Sequence, residues 1–131
     1  MAESFQYALL RAVPSIERGE ALNVGVVVHC RRGRFLEVRS AVEEQRLRLL
    51  DPGVDVAAVD AHLALLQRVA AGEEPDNPIA AMDRSDRFGW IVAPSSTVVQ
   101  PSPVHTGLTE DPAATLEKLF AELVLPLDPE A

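Results

Sequence analysis

One segment of the chain constrains its fold more than any other. Residues 22–30, LNVGVVVHC, are almost continuously apolar and rich in valine. Valine favours the pleated backbone of a strand, and a strand that is apolar at successive positions is covered on both faces. The segment therefore predicts a central strand of a sheet. Gly25 within it indicates a bulge or a close approach of two backbones.

The segments before and after this strand predict an antiparallel meander. Residues 5–13 form a strand-like run that stops at Pro14, because proline has no N–H to donate to a ladder. Residues 31–34, RRGR, are typical of a turn in which Gly33 takes a positive φ. Residues 35–39 then return as a third strand. Connections this short join antiparallel neighbours.

After the third strand the pattern changes to that of helices. Residues 42–50 are rich in helix-forming side chains and are followed by a DPG sequence that ends the helix. In residues 56–71, apolar side chains recur every three or four positions, which is the spacing of one helix face. Asp55 is suited to cap the first turn of this helix, and Gly72 is suited to end it.

Residues 83–93 fit either a short helix or a strand. We favour a helix, because Pro94 ends it and because Ser85 or Asp86 can cap it. The glycine in the middle of the segment weakens either assignment.

The last third of the chain predicts one strand and one helix. Residues 97–100 are strand-like, and two prolines and a glycine make residues 101–107 an extended loop. Asp111 followed by proline is a typical start of a helix. Together the elements predict an α+β fold, with an antiparallel sheet of about four strands and three to four helices packed on one side. Residues 1–125 are predicted to form a single domain, and residues 126–131 a flexible tail.

The charge distribution argues against general nucleic-acid binding. The net charge is −8, and only residues 1–50 carry more basic than acidic side chains. An acidic chain repels the phosphate backbone, so we expect no nucleic-acid partner. The turn that contains Arg31, Arg32 and Arg34 can still contact a single phosphate or an acidic partner. A solvated turn without a ligand is the alternative.

The usual signatures of cofactor and metal sites are absent from the sequence. It contains neither the GxxxxGK nor the GxGxxG phosphate-binding pattern. Its three histidines are far apart, and the adjacent His29 and Cys30 point to opposite faces of the predicted strand. We therefore expect no metal and no cofactor. Because the first residues do not resemble a signal peptide and no segment has the apolar length of a membrane span, we expect a cytoplasmic protein.

Two polar clusters are candidate ligand-binding sites. The first surrounds the connection between the first two strands and contains Arg11, Glu20 and Asn23. Arg11 lies in an otherwise apolar strand, where a buried charge without a partner is costly, and Glu20 is the carboxylate expected within reach. A structural ion pair across the hairpin and a pocket for an anion or a peptide are the two interpretations.

The second cluster flanks the fourth strand. It consists of hydroxyl, amide and imidazole side chains, namely Ser96, Thr97, Gln100, Ser102 and His105. A serine near a histidine is the pattern of an activated nucleophile, but no GxSxG motif is present and hydroxyl side chains are common in turns. Turn structure, a ligand-binding loop and a catalytic site are therefore all interpretations of this cluster. If the two clusters meet in space, they form one site.

Several short segments together make a specific pattern. They are YALLRAVP and GEALNVGVV at residues 7–14 and 19–27, RL and LDP at residues 46–47 and 50–52, and RFGW, APSSTVVQ, SPVHTG and DP at residues 87–90, 93–100, 102–107 and 111–112. In this pattern the chain resembles, over nearly its whole length, a bacterial family known as domain of unknown function 3037. The resemblance brings no activity, cofactor or catalytic residue. Because members often accompany a HipA-like kinase protein, it implies a protein partner or a regulatory role.

These observations lead to two hypotheses for the function. The first is a non-catalytic protein-interaction or regulatory subunit, with a HipA-like kinase protein as its partner. The alternative is a small-molecule or anion-binding domain, or an enzyme, whose site is formed by the two polar clusters. The sequence favours a protein that is not an enzyme, and it leaves a homo-oligomer open.

Overall fold

The computed structural model describes residues 1–127, which form five strands, four α-helices and one 3₁₀-helix. None of the helices in this part of the chain is long and apolar enough to cross a membrane. Most of the tail predicted at residues 126–131 lies outside the described residues. In chain order the elements are β1 (Glu3–Ala12), β2 (Leu22–Cys30), β3 (Phe35–Ser40), α1 (Glu44–Leu50), α2 (Val56–Ala71), the 3₁₀-helix (Pro78–Ala81), α3 (Arg84–Ile91), β4 (Val99–Pro101), β5 (His105–Thr109) and α4 (Pro112–Leu123).

The five strands form one antiparallel sheet. Its order is β3-β2-β1-β4, and β5 also pairs with β1. The predicted meander of β1, β2 and β3 is confirmed, and β2 has the bounds that its valine-rich sequence predicts. On its other edge β1 pairs with β5 at its beginning and with β4 at its end. Through its pairing, β1 therefore connects the N-terminal meander with the two strands from the last third of the sequence.

Strand β5 corrects the prediction of an extended loop over residues 101–107. Tyr7 faces His105, and Phe5 faces Gly107, across β1 and β5. The strand escapes recognition because it lies at an edge and four of its five residues are not buried, so it lacks apolar alternation. The fourth strand predicted at residues 97–100 is confirmed in part as β4. The sheet thus has five strands where about four were expected.

Gly25 lies at a bulge, as its position in an apolar strand predicts. Leu10 faces Gly25, but the next residue, Arg11, faces Asn23, so Val24 is an extra residue on β2. A Cβ added to Gly25 would lie 3.1 Å from a backbone carbonyl oxygen of β3 and 3.3 Å from the Leu10 side chain. Glycine therefore also avoids a close contact at this position.

Helices cover both faces of the sheet. On one face, Ala8, Leu10 and Val27 share a core with side chains of α1, α2 and α3. On the other face, Val26 and Val28 share a second core with α4. This arrangement corrects the prediction that the helices pack on one side, and it agrees with the apolar run of β2, which needs a cover on both faces. The α+β class is confirmed.

Helix α2 begins and ends where its sequence predicts, and helix α4 begins where its sequence predicts. Asp55 accepts a hydrogen bond from the N–H of Ala58, and Gly72 ends α2 with a left-handed φ of 72°. Asp111 caps α4, and Pro112 is its first residue. These caps satisfy free N–H groups of the first turns, so the helix ends are set locally.

Helix α3 confirms the helical interpretation of residues 83–93, but its cap differs from the prediction. Asp83 accepts the N–H of Asp86 at 2.8 Å, whereas Ser85 and Asp86 lie inside the first turn. Asp83 has an extended backbone, with φ −68° and ψ 168°, which is the conformation that a capping residue adopts.

The turn between β2 and β3 also differs from the prediction. The residue with positive φ is Arg34, at 50°, and not Gly33. Gly33 instead avoids a close contact, because a Cβ there would lie 3.2 Å from the Sγ atom of Cys30 and 3.2 Å from Pro112. The turn therefore packs tightly on the start of α4.

Candidate functional site

The structure brings three of the candidate residues into one row of the sheet. Arg11 on β1 faces Asn23 on β2 and Gln100 on β4. Residues directly opposed on antiparallel strands lie about 5 Å apart at Cα, and their side chains share a face. The two polar clusters therefore meet at this row, which the sequence alone leaves open.

The row lies on the face that carries α4. Asn23 donates from Nδ2 to the carbonyl oxygen of Leu123 at 3.1 Å and so satisfies a carbonyl group in the last turn of α4. Gln100 donates from Nε2 to the carbonyl oxygen of Thr97 at 3.0 Å. Arg11 is half-buried between them and makes no ion pair within residues 1–127. Its charge is thus available to an anion.

Glu20 does not pair with Arg11. Its carboxylate accepts a hydrogen bond from Nε of Arg18 at 2.6 Å, within the same loop. Because both side chains are exposed, this ion pair contributes only about 0–1 kcal/mol to the free energy of unfolding. The predicted ion pair across the hairpin is therefore wrong, and Glu20 does not belong to the row.

Ser96 and Thr97 lie in an exposed turn before β4. The hydroxyl of Thr97 donates to the carbonyl oxygen of Val99 at 2.7 Å and lies 3.1 Å from the hydroxyl of Ser95. Such bonds to nearby backbone are what hydroxyl side chains contribute to turns. The turn interpretation is therefore the one that the geometry of Thr97 supports.

Ser102 continues the pairing of β1 where the backbone ladder is interrupted. Its buried Oγ accepts the N–H of Leu9 at 2.8 Å and donates to the carbonyl oxygen of Pro103 at 2.9 Å. Its own N–H donates to the carbonyl oxygen of Leu9 at 2.8 Å. The hydroxyl of Ser102 is thus committed to backbone partners, which is a structural role.

His105 lies on the same face of the sheet as the row but farther along it. Its ring contacts that of Tyr7, with centroids 5.1 Å apart and an angle of 30° between the planes. Tyr7 and Arg11 are four positions apart on β1, or about 13 Å along a strand. Since the hydroxyl of Ser102 is committed elsewhere, no serine–histidine pair forms here among the described residues.

The outer edge of β5 is open. Leu9 directs both its N–H and its C=O toward Ser102. In an antiparallel ladder this means that the backbone N–H and C=O groups of the odd-numbered residues of β1 point toward β4 and β5. The β5 residues that pair with them alternate with Thr106 and Leu108, whose N–H and C=O groups point away from the sheet. Within residues 1–127, β1 is the only strand that pairs with β5. The side chain of Leu108 is 75% exposed.

His29 and Cys30 point to opposite faces of β2, as predicted. The ring of His29 stacks on Phe88 of α3, with centroids 4.9 Å apart, whereas Cys30 belongs to the core under α4. In residues 1–127, no three histidine, cysteine or acidic side chains converge in a group able to hold a metal ion. His29 instead lines a cavity together with Arg31 and Arg32. No sequence pattern predicts this cavity, because α3 reaches it only through the tertiary fold.

Comparison with known proteins identifies the chain by family alone. No curated protein and no solved structure matches it. Residues 7–124 match the sequence profile of a family described as protein of unknown function (DUF3037). The match covers most of the chain and confirms the resemblance found in its motifs. The chain therefore belongs to the DUF3037 family.

Proposed function

We propose that this chain is a non-catalytic protein-binding subunit that receives an extended segment of its partner along β5. The observation that carries the proposal is the open edge of this strand, where the backbone groups of Thr106 and Leu108 point outward. A peptide that adds a strand to such an edge gains main-chain hydrogen bonds from the edge and specificity from alternate side chains.

The composition of β5 supports this proposal. Natural edge strands are commonly protected against pairing with another chain by lysine, proline or a bulge. The sequence HTGLT contains neither lysine nor proline. Leu108, exposed beside its outward backbone groups, offers an apolar contact to an added strand. An edge that is open and partly apolar is either a liability for aggregation or a docking site, and we assign it the second role.

The partner that we propose is a HipA-like kinase protein, which the family resemblance implies. The segment that docks is extended and basic, because the chain carries a net charge of −8 and Glu110 and Asp111 follow β5 directly. Complementary charge accelerates association and fixes the register of the added strand. We further propose that the complex forms in the cytoplasm and that the chain regulates the kinase by binding.

Co-expression with a HipA-like kinase protein from the same genome tests this function. Thr106→Pro removes one outward N–H without removing a bond to β1, so it should abolish co-elution while the variant stays folded by circular dichroism. Thr106→Ala is the matched control and should co-elute like the wild type. The proposal fails if the wild-type protein does not co-elute with the kinase, or if Thr106→Pro co-elutes unchanged.

The alternative function is binding of a small anion or anionic small molecule at the row of Arg11, Asn23 and Gln100. It is favoured by the register that aligns these side chains and by the finding that Arg11 makes no ion pair with any residue of the described range 1–127. A thermal-shift screen with phosphates and carboxylates is the test. A ligand of this row should lose its stabilising effect in Arg11→Gln and keep it in Arg18→Gln. Equal loss in both variants would count against the row.

A further inference from the structure

We propose that a cavity at the basic end of the domain binds a small organic phosphate, independently of the contact at β5. The cavity has a volume of about 540 Å³ and lies between the start of β1, the end of β2, the turn that follows β2, and α3. This volume is within the range of small-molecule sites, roughly 300–1,000 Å³. Its lining includes Glu3, Gln6, His29, Arg31, Arg32 and Phe88, so one carboxylate lies among the basic side chains of the cavity.

The first observation behind this proposal is a group of arginines without carboxylate partners. The ion pairs within residues 1–127 use Arg18, Arg39, Arg48 and Arg68. The arginines around the cavity and the adjoining surface groove take part in none of them. They are Arg31 and Arg32 in the cavity wall, and Arg34, Arg84 and Arg87 in the groove beside it. Unpaired guanidinium groups concentrated at one end of an acidic protein attract an anion, and phosphate is the anion that matches their bidentate geometry.

The second observation is an unsatisfied buried nitrogen in the same wall. His29 is 6% exposed, and its Nε2 atom has no hydrogen-bond partner among residues 1–127. A buried polar atom without a partner is unfavourable and rare in native proteins, and a ligand is one of the groups that satisfy it. Gln6 lies directly opposite His29 and is exposed, so this side chain can move and give a ligand access to the nitrogen.

The protonation of His29 suits a neutral contact rather than a charge. Burial, followed by the nearby Arg31 and Arg84, lowers the pKa of His29 below its usual value, and Asp83 opposes this effect. The imidazole is therefore neutral near pH 7, with one nitrogen able to donate and the other to accept. The phosphate then binds Arg31 and Arg32, while a hydroxyl or amide of the organic part bonds to His29.

The shape of the cavity indicates an organic phosphate rather than phosphate alone. Its volume exceeds that of a single phosphate several-fold, and its wall contains Phe88, whose ring stacks on His29, beside the polar groups. Apolar walls with a few convergent polar groups are typical of sites for small organic ligands. A nucleic acid fits the observations less well, because the net charge of −8 repels a long polyanion.

Isothermal titration calorimetry at constant salt tests the proposal with five probes. They are adenosine monophosphate, ribose 5-phosphate, inorganic phosphate, adenosine and a short DNA duplex. We expect both organic phosphates to bind, and to bind more tightly than inorganic phosphate, while adenosine and the duplex bind weakly or not at all. The double variant Arg31→Gln/Arg32→Gln, whose altered side chains are exposed, should weaken the organic phosphates by about tenfold or more.

A matched control separates the site from the overall charge. Arg18→Gln/Arg48→Gln removes the same two charges from surface side chains that do not line the cavity, and it should leave the affinities unchanged. Equal weakening in the two double variants would overturn the proposal, as would failure of both organic phosphates to bind at millimolar concentration. Tighter binding of the DNA duplex or of inorganic phosphate would overturn it too, in favour of a nucleic-acid surface or a simple anion site.

Discussion

Replacing His29 by phenylalanine separates the cost of its buried nitrogen from the packing of its ring. The stacked contact with Phe88, at 4.9 Å between centroids and 26° between planes, can be kept by another aromatic ring. The unpartnered Nε2 atom is removed. An unsatisfied buried polar group destabilises the wild type by about 1–3 kcal/mol. The slightly larger phenylalanine ring destabilises the variant by up to about 1 kcal/mol through strain. We therefore expect the free energy of unfolding to rise by about 1 kcal/mol.

Urea unfolding at pH 7.5, followed by circular dichroism, measures this change. In a domain of this size the same gain raises Tm by about 4 °C. His29→Ala is the informative companion, because it removes the nitrogen and the ring together and should destabilise the protein. If His29→Phe instead lowers the free energy of unfolding by about 1 kcal/mol or more, the nitrogen has a hydrogen-bond partner in solution and the reasoning is wrong.

The same variant should change the response of stability to pH. Since burial lowers the pKa of His29 from its usual 6.5, the unfolded chain takes up a proton at a higher pH than the folded protein does. The stability contribution of neutral His29 is present above about pH 6.5 and is lost as the pH falls toward the lowered value. Between pH 7.5 and pH 5.5, the wild type should lose more stability than His29→Phe. The pH dependence of stability that remains in His29→Phe includes a contribution from His62, because burial lowers the pKa of this residue too. An equal loss in both proteins would contradict the argument.

Three further substitutions test the packing, each measured by urea unfolding. Gly107→Ala should lower the free energy of unfolding by about 1–3 kcal/mol, because the added methyl would lie 2.7 Å from the ring of Phe5. No measurable loss would show that β5 and Phe5 can separate freely. Gly89→Ala should raise it by about 0.5–1 kcal/mol, since the position is exposed in α3 with nothing within 4 Å of the added carbon, and a decrease would count against this reasoning. Ser102→Ala should lower it by about 1–3 kcal/mol by leaving the N–H of Leu9 unpaired, whereas Ser95→Ala at an exposed turn should change it by less than about 0.5 kcal/mol.

Elements with strong local signals were predictable from the sequence. The valine run of β2 and the periodic stripe of α2, with its aspartate cap and glycine end, gave both elements their correct bounds. The edge strand β5 was missed because its residues lie between prolines and solvent, and only its pairing with β1 makes it a strand. The position of α4 on the second face was implied by the apolar run of β2, but local helix periodicity does not say which face a helix covers.

The candidate site was predictable only in its residue types. The polarity of Arg11, Asn23 and Gln100 is visible in the sequence, but their alignment depends on the bulge at Val24 and on the register of β4. Proximity in the sequence predicts Glu20 as the partner of Arg11, but the carboxylate of Glu20 pairs with the nearer Arg18. The unsatisfied nitrogen of His29 had no sequence signal at all, since it arises from a helix that follows β2 by more than fifty residues.

Strand β1 pairs with β2, which follows it closely in the sequence, and with β4 and β5 near the other end, and this has a consequence during synthesis. One edge of β1 is covered by β2 soon after both strands are made, but its other edge waits for β4 and β5. Between the end of β3 at Ser40 and the start of β4 at Val99, the ribosome adds roughly 60 residues, which takes about 3–12 s at 5–20 residues per second. Throughout this interval the nascent chain carries an unpaired edge on one of its most apolar strands. This edge therefore stays open until residues 99–109, which contain β4 and β5, have been synthesised.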